Sequence, residues 1–336
     1  MPGSTRRVML KSALAATAGG LAAPYIVRSG FAATPVHTLK LVFADTVSHP
    51  VYQVCLRFAE NVRKKTDGAV KVEVYGAGQL VPENDMMSSL QTGIVDLCAH
   101  TSGFVQTLYP SFMAVDLPFL FSSVGKAEKM LDGPVGTRLL SELPAKGVYG
   151  LSYGWWGWRV VDARNRPVAE PKDMHGLKIR VQAGAVFATT FKTLKAIPVA
   201  IAITEVYLAL SDGTIGAVEV PIISVLANKF EEVVKVITDT NHDYNVGVMM
   251  ASKRKLDALD KNYQEAIRQA ALEMTPDWRR TIGRASAEAA KVIAAKGVKT
   301  IAADRVAYRK AVEPVYQRYR PIIGPELMDA VLKAAA

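Results

Sequence analysis

Cysteine is scarce. Cys55 and Cys98 are the two in the chain, and they form no Cys-x-x-Cys pair. A multiply bridged scaffold is therefore excluded. Cys55 falls on an amphipathic helical pattern and Cys98 in a buried strand pattern, so two free thiols are expected, with a single bond left open by an oxidising compartment. The histidines, His37, His49, His100, His175 and His242, are scattered singly, and no His-Glu-x-x-His occurs. There is no Gly-x-x-x-x-Gly-Lys-[Ser/Thr]. Gly76-Ala77-Gly78 lacks the third glycine of a dinucleotide loop, with Val81 in its place. These absences remove the zinc-peptidase, P-loop and dinucleotide readings. A basic tail is also missing, so nucleic acid is not an expected partner.

Long apolar runs are missing too. Ser12 to Val27 is interrupted by Gly19, Gly20 and Pro24, which is short and weak for a membrane span. Thr5-Arg6-Arg7-Val8-Met9-Leu10-Lys11 precedes it, and Gly30-Phe31-Ala32 follows with small residues suited to cleavage after Ala32. This reads as an export signal over residues 1–32, of the twin-arginine type. Its removal takes Arg6, Arg7, Lys11 and Arg28 and no acid, so the net charge falls from +10 to +6. That surplus suits small anionic ligands.

Half of the 336 residues are hydrophobic and 21% are charged, as in a folded chain of one large or two smaller lobes. Thr38–Ala44 reads as a strand, Val51–Thr66 as a helix, Val70–Tyr75 as a strand, Asn84–Thr92 as a helix and Ile94–Ala99 as a strand. This order predicts an α/β lobe with a mainly parallel sheet. A second such pattern follows: strand Leu177–Val181, helix Ala185–Leu194, extended Pro198–Ile203, helix Thr204–Asp212 capped by Thr204, and strand Ile215–Val220. From Leu259, apolar residues step by three or four to Ile282 and predict one helix reaching Lys296. Pro276 is expected to kink or break it. A helix that long can run across both lobes.

Arg180 ends the strand pattern GLKIRV, where Leu177, Ile179 and Val181 face one way and Lys178 and Arg180 the other. The position suits either a solvated face or an anion-binding group. An exported two-lobed protein without catalytic apparatus points to ligand capture in the cleft.

Several stretches resemble the solute receptors of tripartite ATP-independent periplasmic (TRAP) transporters, of the dicarboxylate-receptor type. They are Phe58-Ala59-Glu60 to Thr66-Asp67-Gly68, VEVYGAGQL (72–80), LQTGIVDL (90–97), DLPFLF (116–121), Gly157-Trp158-Arg159, DMHGLKIRV (173–181), EVYLAL (205–210) and ITDTNH (237–242). The resemblance implies an α/β, two-lobed periplasmic solute-binding fold with a long bridging helix and a hinged cleft. The implied division is lobe I over 33–156 plus about 244–285, and lobe II over 157–243 plus about 286–336. It further implies a periplasmic receptor without enzymatic activity that passes an organic acid to membrane permease subunits, as a monomer rather than a helix-swapped dimer.

On this resemblance Arg180 grips the ligand carboxylate, for which a guanidinium fork is better matched than an ammonium. Arg159 is a second grip or a structural ion pair. Glu219 is structural, or holds a metal ion beside the ligand; no other cofactor is implied. The segment Gly213–Pro221 departs from the family pattern. Gly216 and Ala217 replace an aspartate and a glycine, and Val220 replaces an asparagine that often contacts ligand. Trp155, Trp156 and Trp158 either wall the cleft or pack the hinge. Together these features lead to an expected monocarboxylate with an apolar or aromatic body. His49, Thr101 and Ser102, in loops at the carboxyl ends of strands, are expected as opposing contacts or as loop caps. Rival readings are a receptor of the same fold that signals to a membrane sensor, and an exported enzyme acting on a small acid.

Overall fold

A computed structural model describes residues 35–336; the expected export signal lies outside them. The strands in chain order are β1 (His37–Val42), β2 (Val70–Tyr75), β3 (Leu97–Thr101), β4 (Val148–Trp155), β5 (Arg159–Ala163) and β6 (Lys178–Val181). Then come β7 (Ile197–Ala200), β8 (Ala217–Pro221), β9 (Val236–Asp243), β10 (Val246–Ser252) and β11 (Lys299–Ala302). They form two sheets, ordered β2-β1-β3-β10-β4 and β11-β9-β5-β8-β6-β7. In the first, β10 runs antiparallel between β3 and β4; in the second, β5 runs antiparallel to both β8 and β9. Each sheet is therefore mainly parallel, as expected, with a single reversed strand, β10 in the first and β5 in the second. A long-range return strand is invisible to a local pattern.

Local chemistry explains most element ends. Pro50 opens the helix Pro50–Lys65, and His49 caps it by accepting from Val51 N at 3.2 Å through Nδ1. Its apolar stripe, Val51, Val54, Cys55, Phe58 and Val62, is buried as the spacing predicts. The third strand starts later than expected. Gly93 turns the chain at φ 78°, and the amides of Ile94 and Val95 fold back onto Ser89 O. Thr204 does not cap its helix. A single tight turn, Ile203–Glu205, precedes Val206–Asp212, and the Glu205 side chain takes the Ala202 amide at 3.0 Å.

The long helix is continuous over Lys261–Ala295, 35 residues, with Pro276 inside it. A proline removes one hydrogen bond and crowds the preceding turn. Met274, Trp278 and Ile282, all buried on either side of it, hold the helix against this cost. The helix packs on Pro50–Lys65 and β4 of the first lobe and on helix Ile222–Ala227 of the second. Beneath its midpoint the sheet is thinned by glycine: a Cβ on Gly154 would stand 2.1 Å from the Trp278 ring, and one on Gly247 2.7 Å from it.

β1 to β4 and β10 form the first sheet and β5 to β9 with β11 the second, whereas the last helices are not confined to the second lobe. Helix Pro325–Ala335 buries Leu327, Met328, Val331 and Ala335 against Val124–Leu131 and Pro134–Glu142, which belong to the first lobe. Helix Glu313–Ile323 touches both the turn Pro110–Asp116 and Ala185–Thr193, and so straddles the lobes. Among the described residues no helix is long and apolar enough to cross a membrane.

Candidate functional site

The lobes meet around a small cavity lined by both of them. One rim is bridged by Thr46 and Ser48 hydroxyls donating to Ala227 O (3.0 and 2.8 Å) and by His49 Nε2 with Ser224 Oγ (3.3 Å). On the other side Thr101 Oγ1 donates to Gln182 Oε1 (3.0 Å) and Val186 N to Gln106 Oε1 (3.3 Å). The cleft is thus closed in this structure.

Arg180 reaches the cavity from β6, flanked by Val199 and Val218 on the neighbouring strands. It is 2% exposed, which settles the choice between a solvated and a buried face. Nε donates to Ile201 O at 3.0 Å, which orients the fork, and a terminal nitrogen lies 3.7 Å from Glu83 Oε2. Burial pulls its pKa down, and the charge of Glu83 opposes that pull.

Arg159 also lines the cavity, but its fork is occupied. Nε donates to Glu219 Oε2, a terminal nitrogen to Glu219 O, and the other to Gln182 Oε1 at 3.2 Å. Glu219 lies behind it, fully buried. Its Oε1 accepts from Gln182 N at 3.3 Å, and His242 Nε2 stands 3.3 Å from Oε2. Burial works against the Glu219 carboxylate, yet Arg159 and His242 outweigh it and hold the group at about 2. Its oxygens are spent on these partners. Among the described residues no cluster of three or more His, Cys, Asp or Glu side chains could hold a metal ion. The donor set at Glu219 does not fit a metal.

The remaining expected contacts separate cleanly. Val220, Trp156 and Thr101 line the cavity. Trp156 Nε1 donates to Asp45 Oδ2 at 2.9 Å, and its ring stacks on His49. Trp155 and Trp158 pack instead on Tyr244, the first stacked and the second edge-on, so one tryptophan walls the cleft and two pack the hinge. His49 is a helix cap and rim contact outside the cavity wall, because its ring is held between Val51 N and Ser224. Ser102 is turned away as well, since its hydroxyl donates to Asp116 of the DLPFLF stretch.

Sequence reasoning missed Glu83, Asn245 and Ser224 and did not assign roles to Asp45, His100 and Gln182, all of which line the cavity. Strand alternation put Gln182 on the Arg180 face, two residues on. Glu83 and Asn245 carried no local signal. Four polar atoms in this wall, His100 Nε2, Gln182 Nε2 and both side-chain atoms of Asn245, find no partner among the described residues. Because His100 Nδ1 accepts from Thr101 N at 2.8 Å, its proton sits on Nε2 and faces the cavity. Burial lowers the His100 pKa to about 3, so the ring is neutral.

β4 carries a string with the spacing of a catalytic motif. Gly150-Leu151-Ser152-Tyr153-Gly154 has the Gly-x-Ser-x-Gly spacing of a nucleophile elbow. It runs straight along β4 with Ser152 buried, so the strand-to-helix turn that such a serine needs is absent.

The family model "Bacterial extracellular solute-binding protein, family 7" matches residues 43–321. The C4-dicarboxylate-binding periplasmic protein DctP of Rhodobacter capsulatus is 31% identical over 330 residues, covering 96% of this chain and 95% of its own. An uncharacterized protein, y4mM, of Sinorhizobium fredii is 34% identical over 317 residues, covering 93% of this chain; the match spans 58% of that longer protein. Among solved structures, the sugar acid binding protein DctPAm from Advenella mimigardefordensis, in complex with galactonate, has a TM-score of 0.86 and 31% identity. It covers 90% of this chain and 98% of its own.

Proposed function

The chain belongs to the bacterial extracellular solute-binding protein family 7, and on that footing we propose that it is the periplasmic receptor of a TRAP transporter. It captures a small carboxylic acid in the interlobe cavity and presents the closed form to the membrane permease. It binds its ligand without converting it.

One observation carries this reading: a buried arginine and four unpartnered polar atoms converge on one cavity between the lobes. The ligand carboxylate sits on the outer fork of Arg180, where water is excluded and a bidentate pair is strong. His100 Nε2 and Gln182 Nε2 offer further donors, and Asn245 offers a donor and an acceptor. Such a wall suits hydroxyl groups. The apolar-bodied acid expected from Val220 and the tryptophans is therefore replaced by a short hydroxylated acid. Val220 stands with Ile203, Pro221 and Trp156 in a wall whose other residues are polar, and two of the three tryptophans lie elsewhere. The closed form is favoured only by the ligand's differential affinity for it.

A thermal-shift screen of residues 33–336 against organic acids tests the reading. Ligand at about 100 times its dissociation constant stabilises by roughly 2.7 kcal/mol. Hydroxylated acids are expected to shift the melting temperature. Shifts confined to unhydroxylated aliphatic or aromatic acids restore the apolar reading, and no shift with any acid overturns the receptor assignment.

A further inference from the structure

Glu83 enters the cavity from the first lobe, opposite the strand that carries Arg180. Its Oε2 accepts from Ile203 N of the second lobe at 2.7 Å and lies 3.7 Å from the Arg180 guanidinium. Its Oε1 stands 4.0 Å from His100 Nε2, on the neutral ring. Asp45 lines the same wall, accepting from Trp156 Nε1 at 2.9 Å and Asn228 Nδ2 at 3.3 Å.

The acids around this cavity already outnumber the arginines without a ligand, with Asp45, Glu83 and Glu219 against Arg159 and Arg180. Arg159 is taken by Glu219, Arg180 faces Glu83, and Asp45 has no cation of its own among the lining residues. A ligand carboxylate on Arg180 adds one negative charge to this set. A second ligand carboxylate would find no free guanidinium, because the Arg159 fork is spent. It would face Glu83 and Asp45 in a cavity closed to water, where like charges repel strongly.

We infer that Glu83 is a specificity-determining residue: it stands where a second ligand carboxylate would go, and so restricts the receptor to monocarboxylates while accepting a hydrogen bond from a ligand hydroxyl. The inference rests on the carboxylate-receptor reading. Its logic is exclusion, a built-in like charge against the wrong ligand rather than an added contact for the right one. Burial raises the Glu83 pKa, while the Arg180 charge and the Ile203 amide pull it back. The other charged groups that bear on it are Asp45 and Arg159.

The test uses titration calorimetry on the wild-type protein with glycerate, malate and the monoamide of malate, which keeps the shape of the diacid and removes one charge. Glycerate and the monoamide are expected to bind at least about tenfold more tightly than malate. In Glu83→Gln the gap between monoamide and malate is expected to close by about tenfold, whatever change in affinity the two ligands share, and circular dichroism and the melting temperature report that the variant is folded. If malate binds the wild type as tightly as its monoamide, the inference is overturned without any variant. An unchanged gap in Glu83→Gln overturns it as well. If the wild type binds none of the acids in this trio or in the wider screen, the receptor reading itself fails, and this inference with it.

Discussion

Arg159 and Glu219 sit on adjacent antiparallel strands, both almost fully buried, and the arginine grips its partner by the side chain and the main-chain carbonyl together. Arg180, two strands away from β5, is held by no such grip; Glu83, at 3.7 Å, stands near its outer fork. On the proposed reading the two arginines divide the work, one building the floor of the cavity and the other meeting the ligand.

Their alanine variants are expected to fail in different ways. Arg180→Ala loses roughly 2–5 kcal/mol of ligand binding, the range for removing one partner of a buried charge pair. Its unfolding midpoint falls by less than that of Arg159→Ala, because Glu83, left without Arg180, keeps the Ile203 amide. Arg159→Ala instead loses about 3–5 kcal/mol of stability, because Glu219 is left buried and uncompensated. Calorimetry and denaturant titration of both variants check this. Equal stability losses with equal binding losses would contradict the division.

Gly103 tests closure. A Cβ there would stand 2.4 Å from Gln182 Nε2 and 2.9 Å from Ala183 O, both across the cleft. Gly103→Ala is expected to hold the lobes apart and weaken ligand binding by about 1–3 kcal/mol, the usual cost of overpacking. Its solution scattering should show less compaction at saturating ligand than wild type. Unaltered affinity would mean that the lobes close without this contact.

Gly154 tests the seat of the long helix. Gly154→Ala drives a methyl into the Trp278 indole, and a stability loss of about 1–3 kcal/mol is expected. Trimming the ring with Trp278→Leu in the same chain should make the two changes less than additive. Strict additivity would show that the sheet and helix do not share this contact.

The dependence on pH has a direction. Burial raises Asp243 to about 7 against the pull of Arg159 and the Asn245 amide, and burial with the Asp243 charge raises Asp116. A carboxyl whose folded pKa exceeds its unfolded value of about 3.9 binds more protons in the folded state between the two. Its contribution is full at the acid end of that window and is lost as pH rises toward 7. Asp243→Asn is expected to flatten the fall in denaturant midpoint between pH 5 and pH 7. A slope as steep as that of wild type would assign the fall to other groups.

What the sequence revealed follows from how local each signal is. The stripe of helix Pro50–Lys65 and the spacing through Trp278 and Ile282 are periodic, so both helices were legible. Arg180 stood out because alternation isolates it and because DMHGLKIRV carries the resemblance. Glu83 did not, since its meaning depends on Arg180 and Ile203 arriving from the other lobe. Asn245 is likewise placed by a junction, at φ 54° between β9 and β10. The tryptophans were ambiguous for a physical reason: the same large ring serves a wall or a hinge, and only the identity of its neighbour, Asp45 or Tyr244, separates the two.

The place of β10 governs the order in which the molecule can be completed at the ribosome. A nascent chain that ends before Val246 has β3 and β4 with nothing between them, because β10 fills that gap. The first lobe therefore cannot finish before the second has been synthesised through β9. The second in turn waits for β11, which emerges only after the long helix. Neither half is a contiguous piece of the gene. Splitting the chain at either lobe crossing yields fragments with open sheet edges, prone to association rather than to independent folding.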